Sequence, residues 1–139
     1  MSTQIVPYLY FNGNCREAMT FYHTCLGGEL QLQAIKDTPV AGQFHPDEGE
    51  LIMHAELRGG SFTLMASDML RDSLKRGNAL ALLLNCGSEA ELRGFFDALA
   101  IDGQILQPVR TEFWGATFGQ LIDKFGNTWM LNFTAAPTA

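Results

Sequence analysis

His54 and Glu56 stand two residues apart in the run Met53-His54-Ala55-Glu56-Leu57. In a strand, such positions project from one face, so an imidazole and a carboxylate would be presented side by side. The pair can anchor a ligand by hydrogen bonds. It can also move a proton, provided one member comes within hydrogen-bond reach of the reacting group. The plainer alternative is an exposed cross-strand pair or a half-buried, satisfied histidine. Trp114, ahead of Gly115, can stack on a flat ligand or plug a strand edge. Ser67-Asp68 can hydrogen-bond a ligand or cap the turn that follows. His45, in Gln43-Phe44-His45-Pro46-Asp47-Glu48, reads as an exposed loop residue and His23 as solvated helix surface.

Other chemistries lack support. There is no Gly-x-Ser-x-Gly elbow, no Gly-x-Gly-x-x-Gly and no Walker-type loop. Cys15, Cys25 and Cys86 show no paired metal spacing and no adjacent histidine suited to nucleophilic work, so they read as reduced thiols packed as small hydrophobes.

The elements that would hold these residues occur twice. Tyr8 to Asn12 is an aromatic strand. After it, Ala18, Phe21, Tyr22 and Cys25 recur at helical spacing until Gly27-Gly28. Ala81 to Asn85 repeats the strand. Ser88 then offers an N-cap with Glu91 three residues on, and Leu92, Phe95, Phe96 and Leu99 form an apolar stripe before Gly103. Further strands are predicted over 29–35, 51–57 and 61–66 in the first half. The second half has them over 104–109, 115–122 and 128–133, with a turn at Asp123-Lys124-Phe125-Gly126-Asn127. The segment 37–50, rich in Pro and Gly, reads as a long loop. A linker over 67–78 carries a helical turn through Met69 to Lys75.

The predicted architecture is one α+β domain over 1–139: two βαβββ modules (5–66 and 79–134) forming a curled mixed sheet around an inner cleft. Each half alone is an open sheet with one helix, too small to hide both faces. The 139 residues suffice for a core, and 47% apolar with 17% charged residues is ordinary for a globular chain. A net charge of −6 and a pI near 4.9 argue against nucleic acid or an anionic membrane as partner. They suit a cationic or neutral ligand, or solubility alone. No secretory signal is evident at the start. The aliphatic run 79–84 is too short to cross a bilayer, and a cytoplasmic location is expected.

Taken together, several runs resemble a known family: Asn12-Gly13-Asn14-Cys15-Arg16-Glu17-Ala18-Met19-Thr20-Phe21-Tyr22, Met53 to Leu57, Leu64-Met65-Ala66-Ser67-Asp68, and Phe113-Trp114-Gly115 with Asp123 to Gly126 and Trp129-Met130. Their order and spacing are similar to the PhnB-like branch of the glyoxalase/bleomycin resistance/dioxygenase (vicinal oxygen chelate) superfamily. The resemblance covers Val6 to Phe133. It implies paired βαβββ modules, a pocket inside each curled sheet and a homodimer. In metal-using members it implies a divalent ion held by His or Glu ligands from inner strands of both modules.

Laid on this chain, those ligand positions fall at Pro7, Ala81 and Met130, and a shift of one residue rescues none of them. Only His54 and Glu56 remain, two donors where a divalent ion needs three or four. No cofactor is therefore expected, and a divalent metal is disfavoured. Some relatives are labelled ubiquinone-pathway methyltransferases, but nothing here resembles a methyl-donor-binding site.

Two readings follow. In the first, a small-molecule ligand sits in an aromatic and Met-rich cleft around Trp114, Met53, Met130 and Phe11, with His54 and Glu56 as polar anchors. In the second, a glyoxalase-like lyase or isomerase uses His54 or Glu56 as acid/base, with or without a loosely held metal. The three absent ligands favour the first, since they remove the usual source of this fold's catalytic power.

Overall fold

The computed structural model describes residues 3–70 and 72–135. The chain divides into two compact units that part between Lys75 and Arg76. The first contains β1 (Tyr8–Phe11), α1 (Cys15–Leu26), β2 (Glu29–Ala34), β3 (Ile52–Arg58) and β4 (Thr63–Asp68). Its sheet runs in the order β1-β4-β3-β2, with β1 parallel to β4 and the other pairs antiparallel. The second repeats the plan with β5 (Leu82–Asn85), α2 (Glu89–Leu99), β6 (Gln104–Thr111), β7 (Ala116–Ile122) and β8 (Thr128–Thr134), ordered β5-β8-β7-β6. Again the first strand lies parallel to the last. The chain is thus α+β, built from two βαβββ modules.

In each module the helix covers one face of its sheet. Cys15, Ala18, Met19 and Tyr22, at i, i+3, i+4 and i+7, are fully buried on α1, which is the spacing of a core-facing stripe. They pack over Phe11, Ile52, Ala55, Leu57 and Ala66. The stripe is rotated from the expected Ala18, Phe21, Tyr22, Cys25; Phe21 and Cys25 lie on its flank, half-exposed. On α2, Leu92, Phe96 and Leu99 are buried over Leu121, Trp129 and Leu131. Each fully buried aliphatic or aromatic side chain contributes about 1.5–3 kcal/mol over an exposed one.

A glycine crosses the end of the third strand in each module. A Cβ on Gly28 would lie 2.6 Å from the Arg58 carbonyl oxygen, and one on Gly103 only 2.3 Å from that of Ile122. Gly28 also has φ +92°. In both modules the turn after the helix passes too close to backbone for any side chain.

Two connections differ from expectation. The loop over 37–50 is organised as short 3-10 turns at Ile35–Asp37, Ala41–Gln43 and Pro46–Glu48. In the last turn the His45 Nδ1 accepts the Asp47 amide at 3.1 Å, and the Glu48 carboxylate accepts the His45 amide at 2.9 Å. His45 is therefore a cap within its own loop. The linker begins later than expected, because Ser67 and Asp68 belong to β4. Met69 still donates its amide to the Phe11 carbonyl at 2.7 Å. Among the described residues from Met69 to Lys75 there is no helical turn.

Candidate functional site

His54 and Glu56 project from the open face of the first sheet, opposite α1. Cross-strand register sets their neighbours: Gln33 faces His54 and Gln31 faces Glu56 on β2, while Met65 faces Glu56 on β4. Tyr8 in turn faces Met65, and Tyr10 faces Ser67. Residues directly opposite share a face, so all of these stand on the same side. The Cα atoms of His54 and Glu56 are about 7 Å apart, two strand residues. Gln31, Leu32, Gln33, His54 and Glu56 line an open depression of about 400 Å³ at the β2 edge.

A bulge shapes the start of β3. Gln33 pairs with His54 but Ala34 pairs with Ile52, so Met53 is left out of the ladder. Strict alternation would send Met53 under the helix with Ala55 and Leu57. The extra residue instead lets Ile52 be fully buried there, and Met53 is half-buried beside the His54 anchor. Bulges of this kind re-aim side chains near sites.

Glu56 is mostly covered, with 17% of its side chain exposed, and its Oε2 lies 3.2 Å from Arg58 Nη2. Beside His54 is the Tyr8 ring, centroids 6.1 Å apart at 33°. Tyr8 also neighbours Tyr10, at 5.2 Å. The face therefore combines an imidazole, a clamped carboxylate, two carboxamides and two tyrosine rings. Such a set can hydrogen-bond a ligand and cover its flat surface.

The remaining expected residues fall elsewhere. Phe11 lines no open face: it is fully buried beneath α1, its ring 6.4 Å from Tyr22. Alternation along β1 turns Tyr8 and Tyr10 to the open side and Phe11 to the helix side. Trp114 and Met130 belong to the second unit. Trp114 is 62% exposed at the β6–β7 hairpin tip, edge-on to Phe113 at 4.8 Å, so within its own unit it is no buried plug. Met130 is half-buried on β8 between Leu83 and Gln120. His23 is exposed, with Nε2 2.9 Å from the Gly28 carbonyl oxygen.

Asp68 does not cap the following turn; its carboxylate is turned inward. It is 3% exposed. Its Oδ1 accepts the Cys15 amide at 3.0 Å and its Oδ2 the Ile52 amide at 2.8 Å. It thus ties the first turn of α1 to the start of β3. Burial, reinforced by the Asp68 charge and opposed by Arg16, pushes the Cys15 thiol up to about 12. Tyr8 and Tyr10 escaped the sequence reading. Their spacing of two was the available signal.

The divalent ion used elsewhere in this fold does not fit the residues present. Pro7 offers no side-chain donor, and its carbonyl is taken by the Met65 amide at 3.0 Å. Ala81 has none either, and Met130 offers only a thioether. Among the described residues no three His, Cys, Asp or Glu side chains cluster as a metal would require. Among the same residues no helix is long and apolar enough to cross a membrane.

The sequence pattern of the family described as 3-demethylubiquinone-9 3-methyltransferase matches residues 3–132. The chain is 33% identical to Protein YjdN of Escherichia coli K12, covering 91% of this chain and 92% of that one. It is similar to the crystal structure of protein PA1353 from Pseudomonas aeruginosa, with 44% identity, TM-score 0.86, and 96% and 98% coverage. It is also similar to a putative 3-demethylubiquinone-9 3-methyltransferase, PhnB protein, from Bacillus cereus, with 26% identity, TM-score 0.74, and 95% and 100% coverage. At the level of fold alone, it matches a glyoxalase/bleomycin resistance protein/dioxygenase family enzyme from Burkholderia phytofirmans with TM-score 0.60 and 12% identity, over 92% of this chain and 97% of that one. The doubled βαβββ plan and these matches together show that the chain belongs to the PhnB-like family described as 3-demethylubiquinone-9 3-methyltransferase and has the fold of glyoxalase/bleomycin resistance/dioxygenase proteins.

Proposed function

We propose that the protein binds a small molecule on the open face of its first sheet, without a metal, with His54 and Glu56 as polar anchors. The observation that carries this reading is the side-by-side placement of His54, Glu56, Gln31 and Gln33 around one depression. Convergent polar groups fix the orientation of a ligand, and the Tyr8 and Tyr10 rings add flat apolar surface beside them. The protein acts as a homodimer in the cytoplasm. Exposed Leu83, Phe113 and Trp114 support pairing, since a stable interface needs apolar area of this kind.

Proton-transfer catalysis on the same face, as in a glyoxalase-like lyase or isomerase, is the second reading. It is supported by the imidazole and carboxylate sharing one side of β3. Against it stands the Arg58 guanidinium on Glu56, which makes that carboxylate an anchor rather than a free base. The methyl transfer in the family's description is not carried over. A methyl donor needs seats for both its nucleoside and its amino-acid end, and the sequence carries no motif for either.

A thermal-shift screen of neutral and cationic metabolites, run on the wild type, His54→Ala and Glu56→Ala, tests the reading. Ligands that raise the midpoint of the wild type but of neither variant support it. A hit whose shift survives both substitutions sinks it. Elemental mass spectrometry of untagged protein checks the metal: near-stoichiometric Zn, Ni, Mn or Fe would overturn the metal-free assignment. Turnover of a screened ligand that vanishes in His54→Ala while binding persists would favour the catalytic reading. Sedimentation at micromolar concentration should give a dimer mass, and a monomer would end that part of the proposal.

A further inference from the structure

On the first sheet's open face, three rings follow one another. Tyr10 and Tyr8 have centroids 5.2 Å apart, and Tyr8 and His54 are 6.1 Å apart. Both tyrosines are well exposed, at 42% and 44%. The strand between them and β3 is β4, which presents Ser67 opposite Tyr10 and Met65 opposite both Tyr8 and Glu56. The small Ser67 leaves the aromatic rings uncovered, and Met65 lies between Tyr8 and the carboxylate. At the β2 side, Glu29 stands directly across from Arg58. Two carboxylates, Glu29 and Glu56, thus share the face with one guanidinium.

We infer that Tyr10, Tyr8 and His54 form one ring platform that takes a flat cationic ligand, a protonated aromatic amine, with Glu56 and Glu29 supplying the complementary charge. This rests on reading the face as a ligand site, and it names the ligand's class. The faces of tyrosine rings carry negative electrostatic potential, which favours a cation lying over them. Ring spacings of this size are those of aromatic pairs with room to continue the series. The ring planes are tilted by 49° between Tyr8 and Tyr10 and by 33° between Tyr8 and His54. A flat conjugated body therefore lies face-on to one ring and meets its neighbour at an angle, reaching more of the row than a compact ammonium does. The Arg58 head is 64% exposed and approaches Glu56 through Nη2 alone. Both Glu56 oxygens keep lone pairs for an N–H donor from the ligand, since each carboxylate oxygen can accept more than one. The chain's net charge of −6 attracts the same partner from a distance.

Proflavine, a flat tricyclic aromatic amine that is cationic at neutral pH, is a suitable probe. Anthracene-1-sulfonate provides a flat anion of similar size. Fluorescence titrations at low salt would use the wild-type chain, Tyr8→Ala, Tyr8→Phe, Tyr10→Ala and Glu56→Gln. Saturable binding of proflavine is expected, weakened about tenfold by Tyr8→Ala, Tyr10→Ala or Glu56→Gln and retained by Tyr8→Phe. Anthracene-1-sulfonate should not compete. Tyr8 and Tyr10 are read separately, so one variant that fails to fold leaves the other decisive. The inference is overturned if proflavine does not bind, if all variants bind it equally, or if the sulfonate binds as tightly. A screened ligand that depends on His54 and Glu56 but is indifferent to Tyr8 and Tyr10 would overturn the ring platform while leaving the site reading intact. Proflavine binding that depends on the tyrosines but not on Glu56 would overturn the assigned charge complement, and with it the inference.

Discussion

In the first module the buried carboxylate is Asp68, at the end of β4; in the second it is Asp123, in the turn between β7 and β8. Asp123 is satisfied close by, accepting the Phe125 amide at 2.8 Å, the Asn127 amide at 3.1 Å and the Trp129 indole N–H at 2.8 Å. Asp68 reaches amides 53 and 16 residues away in sequence. Where Phe11 faces Asp68 across β1 and β4, Leu84 faces Leu131 across β5 and β8. The second module therefore has no carboxylate at that register and caps its helix differently, with Ser88 Oγ accepting the Glu91 amide at 3.0 Å. One plan of strands and helix can be closed by long-range or by local hydrogen bonds. The long-range device couples the elements that flank His54 and Glu56, because Asp68 holds the first residue of β3.

The comparison breaks most directly at Asp68. Asp68→Ala strands two buried amides and removes two charge-assisted bonds, so a loss of about 3–5 kcal/mol is expected in urea unfolding. Asp123→Ala should cost about 2–3 kcal/mol: it strands the buried Asn127 amide and Trp129 indole N–H, but those bonds close within one turn and strand and tie no distant elements together. If Asp123→Ala cost more than Asp68→Ala, the contrast between long-range and local closure would fail.

The shared glycines test what the modules have in common. Gly28→Ala and Gly103→Ala both drive a Cβ into backbone, and each should cost about 1–3 kcal/mol. Gly28→Ala should be the worse, because its positive φ adds strain. A neutral effect at either site, read from the unfolding midpoint, would show that the turn moves aside. Ser88→Ala tests the local cap alone, with an expected loss of about 1 kcal/mol. A much larger loss would mean that Ser88 does more than cap α2.

The smallest effect is one of pH. The Cys15 thiol rises to about 12 in the fold from an ordinary 9.0. The unfolded chain therefore gives up this proton first, and between those values it holds fewer protons than the native state. Stability contributed by this group is present below pH 9 and lost as pH climbs toward 12. Cys86, raised by burial to about 11, acts in the same direction over a narrower window. Stability measured by unfolding from pH 9 to 12 should fall with a slope that Cys15→Ala flattens more than Cys86→Ala, the two separating above pH 11. Equal flattening would remove this difference between the modules.

Much of the fold was legible in the residues because its signals are local. The Ser88 cap with Glu91, the Asp123 to Asn127 turn and the alternation of β8 each close within a few residues. The repeat itself shows as two copies of such signals. The His54 and Glu56 pairing on one face follows from a spacing of two, and the tertiary structure agrees. Phe11 shows where that reasoning stops. A period of two says which residues share a face, but the helix decides which face is covered, and α1 covers Phe11 rather than Tyr8 and Tyr10. The bulge at Met53 likewise needs β2 alongside before it exists at all.

By itself, the sequence determined the order of the elements, their doubling, the helix stripe on α2 and the absence of donors at Pro7, Ala81 and Met130. Only the tertiary structure decided that Asp68 spans from α1 to β3, that Met53 leaves the ladder, and that two tyrosines stand beside His54. The physical reason is range. A hydrogen bond or apolar stripe formed within one turn is written in neighbouring residues. A carboxylate that serves amides 16 and 53 positions away, or a ring that reaches across an intervening strand, depends on packing that no window of sequence contains.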